Sequence, residues 1–292
     1  MFRRLVAGLG LAALLAAAAP AAAEPPLWRV KGTDGREVVL FGSVHLLDAD
    51  ARWFGPDLAA ALKGAQRVWF EIPFDAASQQ AAQGAALAKG RLPQGESLSA
   101  LLSPEGRTRL AAVEAELKLP AVSIDRLQPW LADALISVSY FLKAGARADL
   151  GVEQAIDHAA PPTAQRGALE TVDDQIAALA AGSRADQVAS LEQTLKDVHD
   201  DPDAFARLEG AWERGDTQGL VREELEPLRR DSPSVYARLI TDRNRRWLGE
   251  LEQLLRTGPP GRTLVVVGAG HLVGAGGVPA LLRRDGFAVS GP

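Results

Sequence analysis

The chain contains no cysteine. That absence excludes disulfide staples and a lipid anchor attached through Cys, so stability has to come from a packed core. Positive charge is not in excess either: 32 Lys and Arg stand against 37 Asp and Glu, a formal charge of −5. A mildly acidic chain disfavours nucleic acid and anionic membrane as partners, since both are polyanions. Nucleotide signatures are missing as well. The glycine-rich GAGHLVGAGG lacks the Gly-Lys-Ser/Thr ending of a phosphate loop, and no Gly-x-Gly-x-x-Gly with a following ribose-binding acid occurs. No Gly-x-Ser-x-Gly elbow is present, although Ser43 lies two residues from His45. Low-complexity linkers are absent too, which favours one domain with an insertion over two independent domains.

The N-terminus has Arg3 and Arg4, then an Ala-rich apolar run, then small residues ending at Ala23. This order predicts a secretory signal peptide over 1–23, cleaved after Ala23, and a periplasmic or secreted mature protein. The run is short of the roughly 20 residues of a spanning helix, so no stable membrane anchor is expected after cleavage. Removing it takes away two Arg and no acid, moving the formal charge from −5 to −7.

The mature chain, 24–292, reads as strands at both ends and helices between, an α/β (α+β) domain with a mixed sheet core. A hairpin is predicted over LWRVKGTDGREVVLFG, turning at Thr33-Asp34-Gly35. RVWFEIP reads as a strand stopped by Pro73, RTLVVVG as another, VPALLRRDG as a helix and FAVS as a last strand. The two ends repeat one order of parts: strand, Gly-x-x-His-Leu, loop, helix, strand. The copies run from Val38 to Glu71 and from Leu264 to Ser290, and such units are expected to pack as neighbouring parallel strands. The sheet halves are placed at about 24–74 and 259–292, and the helical insertion at about 75–258. Within it, Ser103-Pro104, Pro129, Ser183 and Ser232-Pro233 start helices. Leu131, Leu135, Val138 and Leu142 read as one apolar face.

Only four histidines occur, and two of them, His45 and His271, each follow a glycine by three residues at the end of an apolar run. Loops at the C-terminal ends of parallel strands share one rim, so a common sheet would bring the two imidazoles together. Neutral imidazole there suits metal ligation or general-base work. His158 and His199, in acidic helical settings, read as surface or packing residues. Glu71 ends the apolar run VWF and completes a His/His/Glu set, which is the donor set of catalytic Zn sites and also suits Mn or Co. In SPSVYARLITDRNRRWLGELEQLL the apolar stripe through Tyr236, Ile240, Trp247, Leu251 and Leu254 passes through Arg243 or Asn244. A buried Arg there needs a partner, either Glu71 or a developing oxyanion. Glu170 precedes a helix that Thr171 can cap and reads as an ordinary helix-start acid.

Taken in order, LFGSVHLL, WFEIP, QPW, ALET, AWERGD, DRNRRW and VVVGAGHLVGAGGVPALLRRDGF resemble the TraB/GumN family, which includes the animal Tiki proteins. The resemblance covers nearly the whole mature chain. It implies a metal-dependent peptidase that uses Mn or Co, to which the His/His/Glu donor set adds Zn, and that acts on a peptide or protein substrate. His45, Glu71 and His271 would be its catalytic or metal-binding set, with Arg243 and Asn244 beside them. The wider superfamily also holds erythromycin-esterase-like hydrolases and a haem-binding lipoprotein type, so the fold does not fix the chemistry. A non-catalytic haem, metal or peptide binding protein and a metal-free esterase-like hydrolase stand as alternatives. This chain has Ser43 where Thr is usual, and Pro73 where an acid often follows the Glu.

Overall fold

Residues Val38–Phe41 are all apolar and all buried, without the alternation of a half-solvated strand. Such a run belongs in a sheet covered on both faces. In the computed structural model, which describes residues 24–292, it is the middle of β2 (Arg36–Ser43), near the centre of a six-stranded mixed sheet. The signal peptide read over 1–23 lies outside the described residues. The other strands are β1 (Leu27–Lys31), β3 (Ala65–Phe70), β4 (Gln165–Ala168), β5 (Gly261–Gly268) and β6 (Ala288–Ser290), in the order β4-β3-β5-β2-β1-β6. β1 and β2 form the expected antiparallel hairpin. Asp34 and Gly35 both take positive φ at its tip, 51° and 76°, the turn whose twist suits a tight hairpin.

The two matched ends share this sheet, yet each does not close on itself. β5 inserts between β2 and β3 and pairs with both in parallel, while β6 crosses over to pair antiparallel with β1. Neighbouring parallel strands within each copy, the expectation from sequence, are therefore replaced by interleaving of the copies. The gain is burial: β5 (Leu264–Val267 all buried) takes the most covered position, and polar-flanked β3 moves outward. The register sets Ser43 opposite Gly268, so both Gly-x-x-His loops leave the sheet side by side.

The stretch read as wholly helical supplies β4, a correction to the insertion at about 75–258. Gln-Arg-Gly-Ala has no β-branched or aromatic residue, so its strand state comes from pairing with the edge of β3 rather than from propensity. Otherwise the region is helical as predicted. The longer helices are α1 (Pro56–Lys63), α2 (Ala76–Lys89), α3 (Pro104–Leu117), α4 (Pro129–Lys143), α5 (Val152–Ala159), α6 (Val172–Ala180), α7 (Arg184–Asp200), α8 (Ala204–Glu213), α9 (Asp242–Arg256) and α10 (Val278–Arg284). Ser103 and Ser183 cap their helices as read, the latter in a capping box with Asp186. One hydrophobic core sits around the sheet, a second among α3, α4 and α7. In α4 the buried face is Trp130, Leu131, Ala132, Ile136 and Tyr140; Leu135, Val138 and Leu142 are exposed. The helix is apolar on more than one side, and packing on α7 selects the aromatic side. Among the described residues no helix is long and apolar enough to cross a membrane.

Candidate functional site

The carboxyl ends of β2, β5 and β3 deliver His45, His271 and Glu71 to one rim of the sheet. Close approach, not a left-handed turn, explains the two motif glycines, since neither has positive φ. A Cβ on Gly42 would lie 3.1 Å from Ala269 Cα, and one on Gly268 would lie 3.2 Å from Glu71 Oε1. The loop after His45 is pinned by α8 of the AWERGD segment. Trp212 Nε1 donates to the Gly42 carbonyl at 2.8 Å, and Glu213 Oε1 accepts from Arg52 N at 2.7 Å.

Arg243 occupies the middle of the site and is 6% exposed. Its Nη2 donates to Glu71 Oε2 at 2.5 Å and to Glu170 Oε1 at 2.6 Å, its Nε to Glu170 Oε1 at 3.0 Å, and its Nη1 to His271 Nε2 at 3.0 Å. Asn244, fully buried on the same helix, donates through Nδ2 to the carbonyls of His271 and Gly276, at 3.2 and 3.0 Å. That orientation leaves Asn244 Oδ1 to accept from His271 Nδ1 at 2.7 Å, which assigns the proton to Nδ1 and the ring's single lone pair to Nε2. Burial, with Arg243 beside it, pushes the His271 pKa down to about 3, so the ring is neutral. For Glu71 burial acts upward, but Arg243 and the Gly268 N–H overcome it and hold the carboxyl at about 2.

Glu170 is thus a buried member of the network, not the helix-start acid read from sequence. The β3/β4 ladder continues through Leu169 N to Phe70 O and Glu170 N to Glu71 O, which sets the two carboxylates side by side. Trp247 Nε1 donates to Glu170 Oε2 at 3.1 Å, while Thr171 and Asp174 cap α6 as a capping box.

His45 differs from His271 in every respect. Its side chain is 69% exposed and opens into a cleft of about 750 Å³. Its Nδ1 lies 2.9 Å from Glu153 Oε1, and the same oxygen accepts from Ser43 Oγ at 2.6 Å. The Glu153 carboxylate raises the His45 pKa and is itself held low by the imidazole. Nε2 of His45 makes no hydrogen bond to another described side chain and faces the cleft. Glu153 went unremarked in the sequence. Its signal is position: with Ile156 and Ala160 it follows the buried stripe of α5, where a carboxylate requires a partner. The cleft walls carry Gln79 and Gln83 of α2, Gln154 of α5 and Gln175 of α6, the last donating to Glu71 Oε2 at 3.4 Å. His158 is exposed on the cleft's outer wall, nearer the site than its surface reading implied, and His199 is exposed on α7.

The predicted metal set does not fit as arranged. Among the described residues no three His, Asp or Glu side chains come together to hold an ion. The lone pair of His271 and one oxygen of Glu71 both face the Arg243 guanidinium, the other Glu71 oxygen accepts from Gly268 N, and Nδ1 of His45 faces Glu153. Arg243 supplies the positive charge at the place between His271 and Glu71 where a cation would sit. With Nη1 also donating to the Leu239 carbonyl at 3.4 Å, every N–H of the guanidinium is engaged. Of the two partners expected from sequence it has Glu71, and no donor is left for an oxyanion.

Most of the motifs that marked the resemblance meet at this rim, QPW excepted, and the sequence model of the TraB/PrgY/gumN family matches residues 26–291. The chain belongs to the TraB/PrgY/gumN family. It is similar to "Uncharacterized protein YbaP" of Escherichia coli (strain K12), 28% identical over 254 residues, which span 85% of this chain and 88% of the relative. The Shigella flexneri protein of the same name is 28% identical over 250 residues, 84% and 87% of the two chains. No solved structure matches this chain.

Proposed function

We propose that this family member is an exported hydrolase of peptide substrates whose water is activated by His45 without help from a metal. The carrying observation is the Ser43–Glu153–His45 chain. A buried carboxylate fixes the imidazole through Nδ1 and leaves Nε2 pointing into an open cleft, the arrangement of an oriented general base. The Glu153 carboxylate raises the His45 pKa to about 10, so the base is the unprotonated fraction, which grows as pH rises toward that value. In that form Nε2 takes one proton from water as its oxygen bonds to the scissile carbonyl carbon. The imidazolium, stabilised by Glu153, then returns that proton to the departing amine as the C–N bond breaks. The glutamine amides on the walls offer both donors and acceptors along the cleft, as an extended peptide backbone requires. The buried Arg243 cluster holds the rim in place. Export rests on the Arg-Arg, apolar and Ala-x-Ala order of residues 1–23, and recovery of a chain beginning at Glu24 outside the cytoplasm is its check.

The test incubates the mature chain with a mixed peptide library, reads cleavage by mass spectrometry, and repeats it after exhaustive chelation. Cleavage is expected to survive chelation and to fall about 100-fold or more in His45→Asn. Cleavage that stops on chelation and returns with Mn or Co would restore the metal reading. Undiminished cleavage by His45→Asn would end the assignment of the base.

A further inference from the structure

A second cavity, of about 300 Å³, lies in the helical layer and shares no lining residue with the cleft at His45. Its walls include Trp130 and Asp133 of α4, Gln187, Ser190 and Thr194 of α7, and Arg238. Two features set it apart from an ordinary crevice. Among the described residues the buried Nε of Arg238 has no hydrogen-bond partner and its guanidinium joins no ion pair. Buried polar atoms are nearly always satisfied, so an orphaned guanidinium nitrogen needs an explanation. The group is nevertheless held in place. It lies against Gly182, where a Cβ would come within 2.5 Å of Nη1 and 2.7 Å of Cζ, and Gly182 takes φ +97°, which strongly favours glycine.

Facing the same space, Asp133 accepts from Ser190 Oγ at 2.8 Å and is bonded by Thr194, and burial raises its pKa. Asp133 and Arg238 do not neutralise one another: they form no salt bridge although both line one small cavity. A negative and a positive group held apart in this way match a ligand that carries both charges. Carboxylate is the planar partner that a guanidinium fork binds best, and an ammonium suits Asp133. The volume sits at the low end of small-molecule pockets, about 300–1,000 Å³. We propose that this cavity is a binding site for a small zwitterion of the amino-acid class, its carboxylate on Arg238 and its amino group on Asp133. The proposal gives a role to the QPW segment, which the site at the sheet rim leaves unused: Trp130 forms one wall.

Arg238 reaches the cavity from a π-helical turn, Ala237–Thr241, that runs directly into α9. Leu239 of that turn lines the cavity, and its carbonyl accepts from Arg243 Nη1 at 3.4 Å. One turn of backbone therefore touches both the second cavity and the Arg243 cluster, and π-turns of this kind often mark functional positions.

The test is read by binding and so stands apart from the hydrolase reading. The mature chain, labelled with ¹⁵N, is titrated with L-alanine, L-glutamate, L-lysine and L-alanyl-L-alanine, with acetate, phosphate and methylamine as single-charge probes. At least one zwitterion is expected to shift the Trp130 indole and Gln187 side-chain signals saturably. Arg238→Gln and Asp133→Asn should each weaken it roughly tenfold or more, and His45→Asn should leave it unchanged. Because the guanidinium has no hydrogen-bond or ion-pair partner among the described residues, Arg238→Gln is also expected to leave the melting temperature unchanged. A failure of all four zwitterions to shift those signals overturns the proposal. So does affinity retained in Arg238→Gln, or equal affinity for acetate or phosphate, which would make the cavity a plain anion site. A large loss of stability in Arg238→Gln would mean that the guanidinium serves the fold.

Discussion

At the residue scale the site is governed by one cation facing two buried carboxylates. Glu71 and Glu170 have side chains 9% and 3% exposed, Arg243 bridges both, and Arg246 Nη2 lies 3.7 Å from Glu170 Oε2. Removing one partner of a buried pair leaves an unpaired charge, which costs about 3–5 kcal/mol. Arg243→Gln is therefore expected to lower unfolding stability by that amount in urea titration; a loss under about 1 kcal/mol would show the cluster to be solvated. Glu153→Gln tests the other pair. Glu153 raises the His45 pKa, so the unprotonated base form grows as pH rises through that value. Without the carboxylate the pKa falls, and the ascending limb of any His45-dependent activity should move to lower pH while its plateau drops. An unmoved limb would sever the dyad. His45, Glu71, Arg243, Asn244 and His271 were legible in the sequence because each interrupts an apolar pattern. Glu170 was not, since an acid before a helix has an ordinary explanation and only the β3/β4 register brings it to Glu71. Glu153 sat in plain view on a helical stripe, but its partner is 108 positions away in sequence, and no local pattern joins them.

At the element scale, α2 stands out as a fourteen-residue helix with no buried residue. Asp75 caps it through Ser78 N, and Lys89 reaches Asp173, but these exposed contacts are worth little beside a packed face. Elements with few buried apolar contacts open first, and α2 carries Gln79 and Gln83 over the cleft. Amide exchange should be fastest there among the longer helices. Gly84 lies inside this helix with nothing within 4 Å of its would-be Cβ. Gly84→Ala is accordingly expected to stabilise α2 by about 0.5–1 kcal/mol, slowing its exchange roughly two- to fivefold. Unchanged exchange would mean that α2 opens only with the whole domain. The hairpin and the central strands were readable because their signals are local: a turn with two positive-φ residues, and apolar runs of strand length. β4 and the interleaving of the two halves were not, because pairing partners far apart in sequence decide both.

For the whole molecule, the site writes its signature into the dependence of stability on pH. His271 has its pKa lowered from 6.5 to about 3 in the fold. As pH falls below 6.5 the unfolded chain binds a proton that the folded chain refuses, so this contribution is full above 6.5 and is lost as pH drops toward 3. Glu71, lowered from 4.5 to about 2, acts with the same sign further down, its contribution lost between those values. His45 acts oppositely. Its raised pKa gives stability that is full below 6.5 and disappears as pH rises through the folded value. Between pH 6 and 4.5, then, His45 changes little, and Glu71 reaches about half its slope only at the lower end and does so in both proteins. His271 should therefore dominate the difference between the natural chain and a variant without it. One proton of linkage is worth about 1.4 kcal/mol per pH unit. His271→Gln is expected to be less stable at neutral pH, having lost its bonds to Asn244 and Arg243, yet to lose stability more slowly on acidification by up to that slope. Other carboxylates titrate in both proteins and cancel in the comparison. Parallel curves of stability against pH from 6 to 4.5 would mean that residue 271 takes up its proton equally in both states, and the neutral, Arg243-facing imidazole on which the site's geometry depends would have to be abandoned.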